Sequence, residues 1–198
     1  MVTHRIDQEI ACQQVLVEDS SVFSIQWSIF PAEIAAGLTP RHLLDRYLAY
    51  IRRATLTVIR PNETAAGIEF LLLGSRLSLI SFQPAVFEEE DESRTCALLR
   101  ICGGMLVQPR QCDRGELRFG IENAPHGVRV SLLLSDFCPL ILGGPSPSVV
   151  RRLLYQLTQA AIHRLVTIRF LALLYRELAG RSSAVRVVNV RVRDGRPV

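Results

Sequence analysis

The chain has 198 residues, of which 48% are hydrophobic and 21% are charged, and its formal net charge is +4. This length suits one domain with a sizeable core, and the charge is compatible with an anionic partner without requiring one. All 23 basic residues are arginine, which is typical of a GC-rich genome and also supplies planar donors for carboxylates or phosphates.

Neither a secretory leader nor a membrane-spanning segment is predicted. The opening residues are polar and include His4, Arg5 and Asp7. The most apolar stretch, residues 162–175, is interrupted by charged residues such as Arg169 and does not reach the roughly 18 apolar residues of a span. We therefore expect a soluble, cytoplasmic protein without a transmembrane segment.

No motif for catalysis, a cofactor or a metal is found. The sequence lacks G-x-S-x-G, Walker, Rossmann and H-E-x-x-H patterns, and His126 and His163 stand alone. The five cysteines form no C-x-x-C pair and have no histidine at metal-ligand spacing, so reduced thiols are expected. We predict no catalytic residues, no cofactor and no metal site; the enzyme question stays open, with the balance against an enzyme.

The first predicted elements are two strands, over residues 9–17 and 22–30, followed by a helix that begins at Pro40. In the second strand apolar residues alternate with serines and a glutamine, so that one face is apolar and the other wet. Ile25 and Trp27 lie on the apolar face. A core position is favoured for Trp27 over stacking on a ligand, and Trp27 is also included in the candidate ligand-binding set.

An antiparallel sheet is predicted over most of residues 66–134, where apolar and polar residues alternate with a period of two. The alternation is clearest in the last hairpin, in which Phe119, Val130 and Leu132 share the apolar face. Such a face requires a cover, and the long helix that follows is the element of sufficient length.

That helix is predicted to begin near Ser146-Pro147 and to end at Gly180, with apolar residues recurring at intervals of three and four. The stripe includes Leu157, Ala161 and Ile168, and Arg164 interrupts it. A charge in this position requires a partner. A carboxylate at the edge of the core is the favoured partner, and the anionic head group of a ligand is the alternative.

A second apolar row lies roughly opposite the first on the same helix, so a second cover is expected. This cover is the pair of N-terminal strands, a second copy of the protein, or a membrane surface. The residues of this row are Tyr155, Ile162, Val166, Phe170 and Leu173.

Valine and arginine alternate over residues 185–193 after the helix. This pattern favours an edge strand whose arginines face water, and the alternative is a flexible basic tail that binds nucleic acid or acidic lipid. The predicted organisation is a single domain over residues 1–180, followed by a basic tail or edge strand over residues 181–198.

The order of elements resembles that of the START-like or SRPBCC helix-grip superfamily: an early strand, a helix, a run of antiparallel strands and a long closing helix. The segment from Val149 through Ile162 to Leu171 also resembles the closing helices of some members. The resemblance covers roughly residues 22–179. It implies an α+β fold in which an antiparallel sheet wraps around the C-terminal helix, with one shorter helix near the N-terminus, and an apolar ligand held between sheet and helix.

Three functions remain as hypotheses. The preferred one is non-catalytic binding of an apolar or amphipathic small molecule or lipid between the sheet and the C-terminal helix, with Arg164 near its polar head. The candidate lining is Trp27, Phe119, Val130, Leu132, Leu157, Ala161, Arg164 and Ile168. The alternatives are a homodimeric interaction module with a filled core, joined through the second apolar row, and an anionic-polymer binder that uses the arginine tail; specific nucleic-acid binding is not expected.

Overall fold

The structure is a computed structural model that describes residues 8–17, 19–91, 93–111, 113–143, 147–180, 184–193 and 196–197, with the backbone alone for residues 156, 192, 193, 196 and 197. Its strands are β1 (Gln8–Leu16), β2 (Val22–Phe30), β3 (Ile59–Thr64), β4 (Gly67–Leu72), β5 (Ser78–Phe82), β6 (Val86–Asp91), β7 (Arg94–Gly103), β8 (Glu116–Ala124), β9 (Gly127–Phe137), β10 (Val185–Asn189), β11 (Val192–Arg193) and β12 (Arg196–Pro197). Its helices are α1 (Ala32–Ala35), α2 (Pro40–Ala54), α3 (Val149–Tyr155) and α4 (Ala161–Ala179). A π-helical turn, Gln156–Ala160, joins α3 to α4, and residues 149–179 together are called the C-terminal helix.

Strands β1 to β10 form one large sheet in the order β10-β1-β2-β9-β8-β7-β5-β4-β3, in which β6 also pairs with β7. Strands β11 and β12 pair with each other in a separate two-stranded sheet. Neighbouring strands are antiparallel except for β1 and β10, which are parallel. The predicted fold class, an α+β fold with an antiparallel sheet around a long C-terminal helix, is confirmed. The four-residue α1 precedes the predicted helix α2, which has 15 residues, so two helices follow the early strands.

The main core lies between one face of this sheet and the two helices α2 and α4. Thr39 caps α2 by accepting a hydrogen bond from the His42 backbone N–H at 3.2 Å. The buried face of α2 places the Tyr47 ring between Phe119 of the sheet and Phe170 of α4, with ring centroids 5.1 and 5.2 Å away. Each edge-to-face aromatic pair adds about 0.5–1.5 kcal/mol beyond the burial of its area. These rings fill the space that the sequence analysis assigned to a ligand.

The second face of the sheet carries a small separate cluster around Trp27, which packs with Ala11 and Ile25. The Arg129 guanidinium lies 4.4 Å from the centre of the Trp27 ring, as in a cation–π contact. Gln26 of β2 pairs with Leu132 of β9, and residues opposite each other in an antiparallel pair share a face. The predicted wet face of β2 therefore points toward the helix and is buried, while the apolar face points away from it.

The C-terminal helix consists of two halves with different surroundings. In the second half the buried side chains recur at intervals of three and four, as in a stripe that packs on a sheet; they are Thr167, Phe170, Leu171, Leu174 and Tyr175. In the first half Tyr155 is buried, whereas Leu157 is 67% exposed. The π-helical turn changes the phase of the helix, so the predicted stripe, drawn with one uniform period, is wrong by about one residue. Ser146, the predicted cap, lies outside the described residues.

The segment after the helix returns to the sheet as β10, whose residues 185–189 pair in register with residues 8–12 of β1. The alternating valines and arginines thus form an edge strand over these residues. Of the cysteines, Cys12, Cys96 and Cys138 are buried and in the thiol form, and Cys102 is exposed; Cys112 lies outside the described residues.

Candidate ligand-binding cleft

An open cleft of about 570 Å³ runs between strand β1 and the C-terminal helix. Its volume falls within the usual range for small-molecule sites. Aliphatic side chains form most of its wall, and Gln14, Tyr155 and Arg164 contribute the polar groups. The lining residues are Gln14, Val15, Leu16, Tyr155, Ala160, Ala161, Arg164, Leu165 and Ile168.

The helix wall of the cleft follows from helical spacing. Ala161, Leu165 and Ile168 recur at intervals of three and four, so one face of α4 presents them together. The π-helical turn adds Tyr155 to this wall from the preceding half of the helix, where the side chain is 4% exposed. Burial raises the pKa of the Tyr155 phenol to about 12, so the group is neutral at physiological pH.

Arg164 supplies the cationic group of the cleft. Its Nη2 donates a hydrogen bond to Asn189 Oδ1 over 2.8 Å, and the same oxygen accepts from Cys12 Sγ over 3.3 Å. Among the ion pairs of the residues that the structure describes, none includes Arg164. The predicted carboxylate partner is therefore replaced by an amide of the edge strand β10. An amide orients the guanidinium without neutralising it, so Arg164 remains able to bind an anion.

A row of polar side chains lies under the C-terminal helix, beside the cleft. Ser24, Gln26 and Ser28 of β2 are all 0–1% exposed. The Gln26 amide nitrogen donates to Ser24 Oγ at 2.9 Å, and Ser24 Oγ lies 3.3 Å from His163 Nδ1. The Gln26 carbonyl oxygen and the Thr167 hydroxyl are buried without a hydrogen-bond partner among the described residues. Buried polar groups of this kind usually bind water or a ligand.

His163 is held as a neutral ring within this polar row. Burial lowers its pKa to about 4, because the charged imidazolium loses solvation. At neutral pH the ring therefore carries no charge and exchanges a hydrogen bond with Ser24. The described residues offer no carboxylate bonded to the other ring nitrogen, so the arrangement lacks the orienting acid of a catalytic triad.

The predicted ligand-binding residues fall into three groups. Ala161, Arg164 and Ile168 lie together in the wall of the cleft. Phe119, Val130 and Leu132 are 0–1% exposed and belong to the filled core. The other two, Trp27 on the opposite face of the sheet and Leu157 on the helix surface, lie outside both places.

Gln14 and Tyr155 of the cleft lining, and Asn189, which binds Arg164 from outside the lining, were not predicted from the sequence as site residues. Gln14 and Asn189 come from the two strands whose parallel pairing forms the sheet edge, and no local pattern predicts that pairing. Tyr155 was assigned to the outer row, because a helix of constant period would place it there. For Ser24, Gln26 and His163 the sequence carries a weak indication of a buried polar row, because polar side chains in a strand and in the helix that covers it can form hydrogen bonds with each other.

The second apolar row is mostly internal. Tyr155 and Phe170 are buried, Val166 and Leu173 pack against the main core, and only Ile162 among the five is largely exposed, at 61%. The row as predicted therefore does not offer a continuous surface to a second copy. Whether the protein forms a homodimer through another surface stays a prediction.

Among the described residues, Glu88, Glu90 and Cys96 form a cluster of metal-ligating side chains, whose ligand atoms lie within 4.8 Å of one another. Arg94 and Arg118 both form ion pairs with Glu90. Burial raises the pKa of the Cys96 thiol to about 11, so the thiolate that a metal requires is disfavoured. These contacts are typical of an ion-pair network on the sheet surface.

Comparisons with known proteins add little to this geometry. No protein-family model and no curated protein matches the chain. The chain is similar to the solution NMR structure of CalU16 from Micromonospora echinospora, at 14% identity over 89% of this chain and 78% of that one, with a TM-score of 0.38. For the crystal structure of CalU16 the identity is 14%, the coverage 87% and 96%, and the TM-score 0.32. Both TM-scores are low, so neither structure carries an argument about this chain.

Proposed function

We propose that this protein binds an amphipathic small molecule with an anionic group in the cleft between β1 and the C-terminal helix, without catalysis. The observation that carries the proposal is Arg164, a cation without a carboxylate partner among the described residues, set in an open and mainly aliphatic wall. The apolar part of the ligand lies along Val15, Leu165 and Ile168. Its anionic group reaches Arg164, whose guanidinium is already oriented by Asn189.

The cleft explains why an anionic amphiphile is preferred to a purely apolar ligand. An arginine in an aliphatic wall loses part of its hydration, and an anion that binds there restores a charged partner. Hydrogen bonds to charged groups contribute about 1.5–3 kcal/mol, which corresponds to roughly a tenfold to hundredfold gain in affinity.

Competition binding tests the proposal directly. The probe is a dansyl-labelled undecanoic acid, displaced by dodecanoate or by its neutral counterpart dodecanol. We expect Arg164→Met to weaken dodecanoate binding by at least about tenfold and to leave dodecanol binding nearly unchanged.

Arg176→Met is the matched control, since Arg176 is exposed on the same helix and lies outside the cleft lining. It removes the same charge and should leave both affinities unchanged. Absence of dodecanoate binding to the natural protein, or an equal effect of the two substitutions, would contradict the proposal.

A further inference from the structure

Exposed apolar side chains cover the N-terminal part of the C-terminal helix, residues 149–162, which is called the docking helix below. Single exposed apolar residues are common on proteins, but a contiguous set marks an interaction surface. The set consists of Val149, Val150, Leu153, Leu154, Leu157 and Ile162, each 47–82% exposed. Leu140, 44% exposed in the short turn Leu140–Leu142 before the helix, belongs to a segment that packs beside α3.

The charges on the docking helix all have one sign. From Pro147 to Arg176 the sequence contains no aspartate or glutamate, and the arginines of the docking helix are Arg151 and Arg152. Arg151 and Arg152 are exposed and take part in no ion pair among the described residues. A surface that combines apolar residues with unneutralised arginines is typical of helices that lie on anionic membranes.

By length and composition alone, the C-terminal helix is long and apolar enough to cross a membrane, and 28% of its most apolar window is buried inside the protein. Two observations argue against a crossing. The second half of the helix is fixed in the core: Phe170, Leu171 and Leu174 are 0–2% exposed. A crossing would remove these residues from the sheet and would place arginines in the hydrocarbon interior, which is costly. A helix that lies in the membrane interface keeps the core intact and leaves the arginines at the head groups.

We infer that the docking helix binds the surface of an anionic lipid bilayer, with its apolar side chains inserted at the acyl boundary and Arg151 and Arg152 at the phosphates. A second copy of the chain fits this surface less well. In a two-fold contact the same patch meets itself, so arginines would face a helix that carries no carboxylate. The proposal does not depend on the ligand of the cleft.

Vesicle flotation tests the inference on the full chain. We expect the protein to float with vesicles of equal parts phosphatidylcholine and phosphatidylserine, and to float far less with phosphatidylcholine alone or at high salt. The double substitution Arg151→Gln with Arg152→Gln should reduce partitioning about thirtyfold. Leu157→Asn with Ile162→Asn should reduce it at least about tenfold, through loss of apolar insertion.

The chain supplies matched controls for both changes. Arg52 and Arg53 are adjacent exposed arginines on α2, and Leu56 is 84% exposed beyond the end of that helix. Arg52→Gln with Arg53→Gln, and Leu56→Asn, should leave vesicle binding unchanged. Circular dichroism of every variant should match the natural protein, since the altered side chains are exposed.

Three results would overturn the inference. The first is absence of binding to the phosphatidylserine vesicles, and the second is an equal loss of binding in the α2 control variants. The third is a dimer, detected by sedimentation, that is abolished by the Leu157 and Ile162 substitutions while vesicle binding is unaffected; this would assign the surface to a second copy.

Discussion

The buried ring of His163 makes the stability of the protein depend on pH in a defined window. Its pKa falls from the reference value of 6.5 to about 4 in the folded protein, because burial disfavours the imidazolium. Between pH 4 and pH 6.5 the unfolded chain therefore binds a proton that the folded chain does not. The free energy of unfolding contributed by this site is complete above pH 6.5 and is lost as pH falls toward 4.

The size of the effect follows from the two pKa values. Each unit corresponds to about 1.36 kcal/mol, so the shift from 6.5 to about 4 corresponds to about 3 kcal/mol. This figure is an upper limit, because the residue keeps part of its surface exposed. For a chain of this length, a loss of that size lowers the melting temperature by about 6–12 °C.

Urea unfolding at pH 7 and pH 4 measures the effect in the natural protein and in His163→Gln. The substitution removes the titrating ring, so the natural protein should lose more stability than the variant over this interval, by up to about 3 kcal/mol. Other groups that titrate over this interval are present in both proteins, so their contributions to the change in the free energy of unfolding cancel when the two proteins are compared. His126→Gln, at an exposed turn, is the control and should keep the full pH dependence. Equal losses in the natural protein and His163→Gln would refute the reasoning.

Three further predictions concern stability at neutral pH. Phe170→Ala should cost about 3–5 kcal/mol in chemical unfolding, since the ring is 2% exposed and contacts Tyr47; a cost below about 1 kcal/mol would show that the core is not filled there. Thr167→Val should be neutral or stabilising by up to about 1 kcal/mol, because the buried hydroxyl has no partner among the described residues, and a clear loss would reveal a hydrogen bond of that hydroxyl. Asn189→Ala should cost about 1 kcal/mol through its contacts with Arg164 and Cys12, and a melting temperature equal to that of the natural protein would contradict those contacts.

The fold class could be predicted from the sequence because it depends on local patterns. The alternation around Phe119 and Val130 predicts a one-sided sheet, and the Thr39-Pro40 pair predicts the start of α2, each from neighbouring residues alone. Both features are present in the structure. At these positions the local sequence pattern and the tertiary packing favour the same structure, and this agreement is what allows structure to be predicted from sequence.

The cleft could not be predicted in full, because it depends on non-local pairing and on the phase of one helix. The orientation of β2 is set by its register with β9, which places Gln26 opposite Leu132 and turns the polar residues inward. A one-residue change of phase exchanges the faces of a strand, and composition alone does not decide which face meets the helix. The π-helical turn has a comparable effect in the helix, where Tyr155 is buried and Leu157 is exposed, the reverse of the prediction.

The division of the C-terminal helix at residues 156–160 also has a consequence for local opening. Residues 167–175 carry the buried side chains beyond the turn, so their amide hydrogens should exchange with solvent only when most of the domain unfolds. Residues 149–155 have Tyr155 as their buried side chain and can open at a small free-energy cost. One continuous helix therefore behaves as two cooperative units, with slow exchange on the sheet side of the π-helical turn and fast exchange before it.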